Sequence, residues 1–121
     1  MQPGVSATTE IITGIGSSAP VLVFNPIAGT YGGAYPSQQP SILAFVTGTV
    51  TYNIEVTGDD VTVTGYNAAA GNWQAIPQQA GVSISSVNTL GAVVTAIRAR
   101  TLTGTTGTLV FQFVQFTGGG A

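Results

Sequence analysis

The sequence predicts an all-β protein: a single antiparallel β-sandwich or jelly roll of about eight short strands with an extended N-terminal arm. Three observations predict it. Apolar residues recur at every second position, most plainly over 49–57. Short runs rich in Val, Thr and Ile are separated by clusters of Gly, Asn, Asp and Pro. No stretch carries a helical apolar period with caps. The 121 residues are read as one domain, long enough to bury on the order of 65% of the surface exposed when unfolded.

Residues 1–8 read as an extended arm and 10–13 as the first strand. The glycines and serines of 14–20 separate it from a second strand at 21–25. Residues 26–41 form a long loop rich in Gly, Tyr, Pro and Gln, with Tyr31 and Tyr35 near its middle. Loops of this length without structure of their own are uncommon and often functional. A strand at 42–46 bends at Gly48 into the clearest strand, 49–57. There Val50, Tyr52, Ile54 and Val56 share one face. Thr49, Thr51, Asn53, Glu55 and Thr57 share the other, which is expected to be wet or to meet a partner. Gly58-Asp59-Asp60 reads as a turn, because Gly tolerates positive φ and Asp bonds its own backbone. Residues 61–64 alternate again, which predicts a β-hairpin with 49–57. Residues 73–76 and 82–87 are short strands, and Ala68-Ala69-Ala70 allows no more than one helical turn. Residues 93–100 and 109–116 predict a terminal hairpin around Thr103 to Gly107.

Composition narrows the function more sharply than the fold. Only 5% of the residues are charged, against roughly 25% in an ordinary soluble domain. The charges are Glu10, Glu55, Asp59, Asp60, Arg98 and Arg100, and there is no Lys, His or Cys. Disulfides cannot form, and no basic patch exists to hold phosphates or an anionic membrane. Nucleic acid and membrane are therefore not expected partners. Met1-Gln2-Pro3-Gly4 lacks the basic and apolar regions of a signal peptide. Synthesis in a host cytoplasm without a signal is the expectation. No apolar run approaches the roughly 20 residues of a membrane-spanning helix.

The same absences remove most catalytic chemistry. Without His, Lys or Cys, nothing is placed to activate the many Ser and Thr hydroxyls. A carboxylate pair among Glu55, Asp59 and Asp60 is the remaining catalytic option. The plainer reading makes the two aspartates turn formers and Glu55 a strand residue. A Ca²⁺ site on Asp59 and Asp60 lacks the spaced acidic ligands such a site uses. No catalytic residue, cofactor or metal is expected.

Five features point instead to contact surfaces. Arg98 and Arg100 share a strand face, where Arg suits interfaces and bidentate carboxylate recognition; cross-strand pairing with Glu55 or Glu10 is the plainer reading and is compatible with a contact role. Tyr31 and Tyr35 are candidate interface anchors. Residues 109–116 are apolar on both faces, with Leu109, Phe111 and Phe113 on one and Val110, Val114 and Phe116 on the other. Such a strand needs cover from another layer or another chain, or from the loop 26–41 folded over it. Few charges guard the strand edges. Trp73, Tyr66 and Asn67 form a candidate sugar-stacking patch, with core or interface packing as the plainer reading.

Four pieces of the chain carry a resemblance. They are Val46-Thr47-Gly48-Thr49-Val50-Thr51-Tyr52-Asn53-Ile54-Glu55-Val56-Thr57 with Asp59-Asp60, then Trp73 with Ile76-Pro77, then Ala96-Ile97-Arg98, then Gly107-Thr108-Leu109-Val110-Phe111-Gln112-Phe113-Val114-Gln115. In this order, over about residues 46–115, the pattern resembles small virion structural proteins of tailed bacteriophages. The resemblance implies a sandwich or jelly roll that serves as a capsid cement or decoration protein, or as a neck or tail part, with no active site. It carries over no site residues. The leading expectation is a homo-oligomeric virion protein bound to the major capsid protein or another virion protein at the capsid surface. The arm, the Tyr31–Tyr35 loop and residues 109–116 are its expected contacts. A carbohydrate-binding or adhesion module, or a fibre subunit, is the alternative.

Overall fold

The computed structural model describes residues 5–23, 39–91, 93–103 and 105–116; the side chains of Val5 and Phe116 lie outside that description. Eight strands run in chain order: β1 (Val5–Thr13), β2 (Val21–Leu22), β3 (Ser41–Thr47), β4 (Tyr52–Thr57), β5 (Trp73–Ala75), β6 (Ser86–Thr89), β7 (Ala96–Thr101) and β8 (Thr108–Phe116). All pairings are antiparallel. The strands make two four-stranded sheets, β1-β8-β3-β6 and β2-β7-β4-β5. Single turns of 3₁₀ helix occupy Ala68–Ala70 and Pro77–Gln79, and no α-helix forms among the described residues. No helix among them is long and apolar enough to cross a membrane.

The pairing follows one rule: first with last, second with seventh, third with sixth, fourth with fifth. β8 and β7 then take a second neighbour each, β3 and β4. Alternation decides which side chains turn inward. Ile42, Ala44, Leu109, Phe111 and Phe113 from the first sheet join Tyr52, Ile54, Ile97 and Ala99 from the second in one apolar core. Their burial supplies the main stabilising term, because the chain has no disulfide and few charges.

Three side chains stitch the sheets together. Tyr52 crosses the core from β4. Its hydroxyl donates to Ile84 O at 2.8 Å and shares a 2.6 Å hydrogen bond with Ser86 Oγ. Gln79 Nε2 donates to the same Ser86 oxygen at 3.0 Å. Gln115 Nε2, on β8, donates to Leu22 O, on β2, at 2.8 Å.

The structure corrects several expectations. Residues 61–64 form turns, so the partner of β4 across the following loop is β5, which begins at Trp73 instead of residue 61. The reason lies in the aspartates. Asp60 Oδ1 accepts from both Thr62 N and Thr62 Oγ1, which curls the chain and denies it a ladder. The expected terminal hairpin is absent too: β7 and β8 lie in different sheets. Residues 93–95 precede β7, and Val93 is 86% exposed. The expected strand 82–87 shrinks to a single bridge between Val82 and Tyr52, and the strand itself comes at β6. The arm expected over 1–8 is strand from Val5 onward, paired with the chain's own Phe116 to Phe113. The bend at Gly48 is present, with φ at +78°.

Candidate functional site

The two sheets present contrasting outer faces. On the second sheet, register places Glu55 opposite Arg98 and Asn53 opposite Arg100. Glu55 sits between both arginines. Its Oε1 meets Arg98 Nη2 at 2.8 Å and its Oε2 meets Arg100 Nε at 2.9 Å. The face expected to be wet or to meet a partner is covered at its centre by the chain itself: Glu55 is 5% exposed and Arg98 8%. Residues 58–72 make the cover. Arg98 stacks on Trp73, with its guanidinium carbon 4.2 Å from the ring centroid, and donates to Ala68 O. Asp59 Oδ2 accepts from Asn72 N and Tyr66 Oη, and its Oδ1 accepts from Asn72 Nδ2. Gly71 is required in this cover. A Cβ there would run into Tyr66 Oη, Trp73 Nε1 and Asp59 Oδ2.

Electrostatics follows from that packing. Burial pushes the Glu55 carboxyl up, but hydrogen bonds from Arg98, Arg100 and Asn53 outweigh it and hold the carboxyl below its ordinary range. Donors from Asn72 lower Asp59, and those of Thr62 lower Asp60. Burial raises the Tyr66 hydroxyl, with the Asp59 carboxylate adding to the rise. The Trp73 N–H faces the Tyr66 oxygen closely enough to oppose that rise, but forms no hydrogen bond of ordinary geometry.

This cluster uses up the residues singled out for chemistry. Asp59 and Asp60 serve as turn acceptors. Asn67 accepts from Ala69 N and caps the 3₁₀ turn. Trp73 has its ring covered by Arg98, and Tyr66 is tied to Asp59. Arg98 and Arg100 both pair with Glu55, while Glu10 lies on the other sheet. Among the described residues no group of three or more potential metal ligands comes together. A groove of about 450 Å³ opens between the edge strands β5 and β6, lined by Val56, Ile76, Leu90, Gln74, Gln78 and Asn88 among others, none of them charged.

The outer face of the first sheet is different in kind. Ile11, Val110 and Phe45 stand side by side across β1, β8 and β3. The next row is Thr9, Gln112, Leu43 and Val87, reaching β6. Beyond it stand Ala7, Val114, Ser41 and Thr89, and at the opposite end Thr13, Thr108 and Thr47. Ile11 is 67% exposed, Phe45 43% and Val87 71%. None of these residues is charged, and the Glu10 of β1 alternates onto the inner side. The face is a four-strand surface of apolar groups interleaved with hydroxyls and amides, without a single ionised side chain among the described residues.

Of the expected contact residues, Val110 and Val114 lie on this face, half-buried by neighbours on both sides. Phe116 ends β8 opposite Val5. Tyr31 and Tyr35, with most of the 26–41 loop, lie outside the described residues. Arg98 and Arg100 belong to the second sheet and its internal network. The sequence reading missed Ile11, Leu43, Phe45 and Val87. The signal was present in the alternation of Ile11 with Ile12 and of Phe45 with Ala44. Only the strand order brings the four together. Comparison of the chain with family models, with curated proteins and with solved structures found no match.

Proposed function

We propose that this chain is a non-enzymatic structural protein of a virion, which binds and stabilises the capsid surface as a cement or decoration protein. The observation that carries the reading is the charge-free outer face of β1-β8-β3-β6. Exposed apolar surface at this scale marks an interaction site, and a face of threonines, amides and aliphatics can be buried without desolvating any charge. The major capsid protein, or another virion protein, is the partner such a face fits. A protein that binds only the assembled shell stabilises it by mass action, with no catalysis required.

Strand order supports the same reading. Pairing first with last, second with seventh, third with sixth and fourth with fifth is what results when one long antiparallel ribbon is rolled up. We read the two sheets as a β-sandwich of the jelly-roll kind, an architecture that recurs in viral capsid and lectin domains. That support is an analogy of fold. The engaged state of Trp73, Tyr66 and Asn67 disfavours the sugar-binding alternative.

The test is the copy number of the chain in purified particles, by quantitative mass spectrometry against the most abundant shell protein. A ratio near one, or a simple fraction of it, is the expected result. A few copies to a few dozen per particle would move the chain to the neck, tail or fibres, and complete absence would overturn the virion reading. Val87→Lys and Phe45→Asp, both on exposed positions, should lower the occupancy while the fold survives.

A further inference from the structure

The sandwich has four edge strands, and they are unequal. β2 has two residues, β5 three and β6 four, while β1 has nine. Short edges are self-limiting, because they offer a neighbour few main-chain groups. β1 spans about 30 Å at the usual strand rise and carries no Lys, no Pro and no positive-φ residue; its one charge, Glu10, lies on the inner side, away from the outer face.

Register identifies which groups it offers. Gly14 N donates to Gly107 O, one step past the Thr13–Thr108 pair. Hydrogen-bonded pairs alternate along an antiparallel ladder, so the even-numbered residues of β1 bond to β8. The odd-numbered ones, Ala7, Thr9 and Ile11 at the centre, turn their N–H and C=O toward the open side. Among the described residues no other strand lies there.

We propose that β1 pairs antiparallel with β1 of a second copy, making one eight-stranded sheet across a two-fold axis at Thr9. The proposal rests on the assembly reading above and adds how copies meet. Self-pairing is favoured over capture of another chain by length and charge together. Thr9 is the midpoint of Val5–Thr13, so the register that overlaps all nine residues places Thr9 against its own copy. That register sets Ala7 against Ile11 of the second copy on the outer face. It sets Glu10 against Thr8, so the two carboxylates do not meet directly across the strands. Moving the axis one residue, to Glu10, would place like charges opposite each other. The charge-free faces of both copies would then merge into one continuous surface.

The measurement is the solution mass of the wild-type chain, by analytical ultracentrifugation over a wide range of concentration. Twice the monomer mass is expected. Thr9→Pro removes a donor that points to the open edge and leaves the ladder to β8 intact, so it should halve the mass with an unchanged far-UV circular dichroism spectrum. Ile11→Lys, on a 67% exposed side chain, should do the same and covers the case in which the proline variant does not fold. Val87→Lys, on the face but far from β1, should leave the mass doubled. The Thr9 and Ile11 amides should exchange with deuterium slowly in the wild type and rapidly in Ile11→Lys. A wild type that stays monomeric, edge amides that exchange as fast as loop amides, or a folded Thr9→Pro that remains dimeric would each overturn the proposal. These readouts need no particle, so failure here is separable from failure of the capsid reading.

Discussion

Burying Glu55 between two arginines has a consequence at low pH. The carboxyl is held below its ordinary range in the folded chain. Its contribution is therefore complete above the unfolded value of about 4.3 and is lost as pH falls through the folded value. Asp59 and Asp60 act in the same direction from the surface. The melting temperature should be flat above about pH 5 and fall below it, and Glu55→Gln should remove part of that slope. The substitution leaves Arg98 buried without its counter-charge, at a cost of about 2–3 kcal/mol; the full penalty of a wholly buried pair is not reached because the Arg100 side chain is 43% exposed. Chemical denaturation at neutral pH reads that cost. Tyr52 carries a different load. Its hydroxyl lies in the core and bonds Ile84 O and Ser86 Oγ, so Tyr52→Phe should lose about 1–2 kcal/mol by the same measurement. Burial raises this hydroxyl, which therefore stays protonated throughout the neutral range.

Single elements show how far the sequence could be read. β3, β4 and β8 were legible, β4 from its strict alternation and β3 and β8 from apolar runs of strand length bounded by Pro and Gly. The residues from 58 to 72 were not. Val61-Thr62-Val63-Thr64 has a strand's pattern, yet Asp60 offers Thr62 a side-chain acceptor that outcompetes a ladder, and Asp59 ties the far end of the loop through Asn72. Alternation also cannot say which strands are neighbours. β7 and β8 follow each other in the chain with a turn-rich link, and only the core, shared by Ile97 and Phe111 from opposite sheets, places them apart. The charged cluster was half legible: the pairing of Arg98 and Arg100 with Glu55 was one of two readings, but the cover over it was unforeseen. That cover depends on Gly71. Gly71→Ala should force Tyr66, Trp73 or Asp59 to move and cost about 1–3 kcal/mol, read as a lower denaturant midpoint. Near-ultraviolet circular dichroism should change with it, because Trp73 would lose its seat against Arg98.

At the scale of the whole molecule, charge is segregated to one side. Glu55, Asp59, Arg98 and Arg100 gather on the second sheet and neutralise one another, while the outer face of the first sheet carries none. Association through that face should respond weakly to ionic strength: its dissociation constant should change less than about threefold between low salt and several times the physiological concentration, by sedimentation or light scattering. A steep loss of affinity with salt would place the contact on the second sheet instead. The strand order has one more consequence, for folding kinetics. β8 sits between β1 and β3, so the first sheet is centred on the last of the described strands in chain order. Among the described residues, β1 has no ladder partner until Thr108–Phe116 docks beside it. Much of the native ladder thus waits on contacts between distant parts of the chain, a topology expected to fold slowly. The charge-free face is complete only when β8 is in place between its two neighbours.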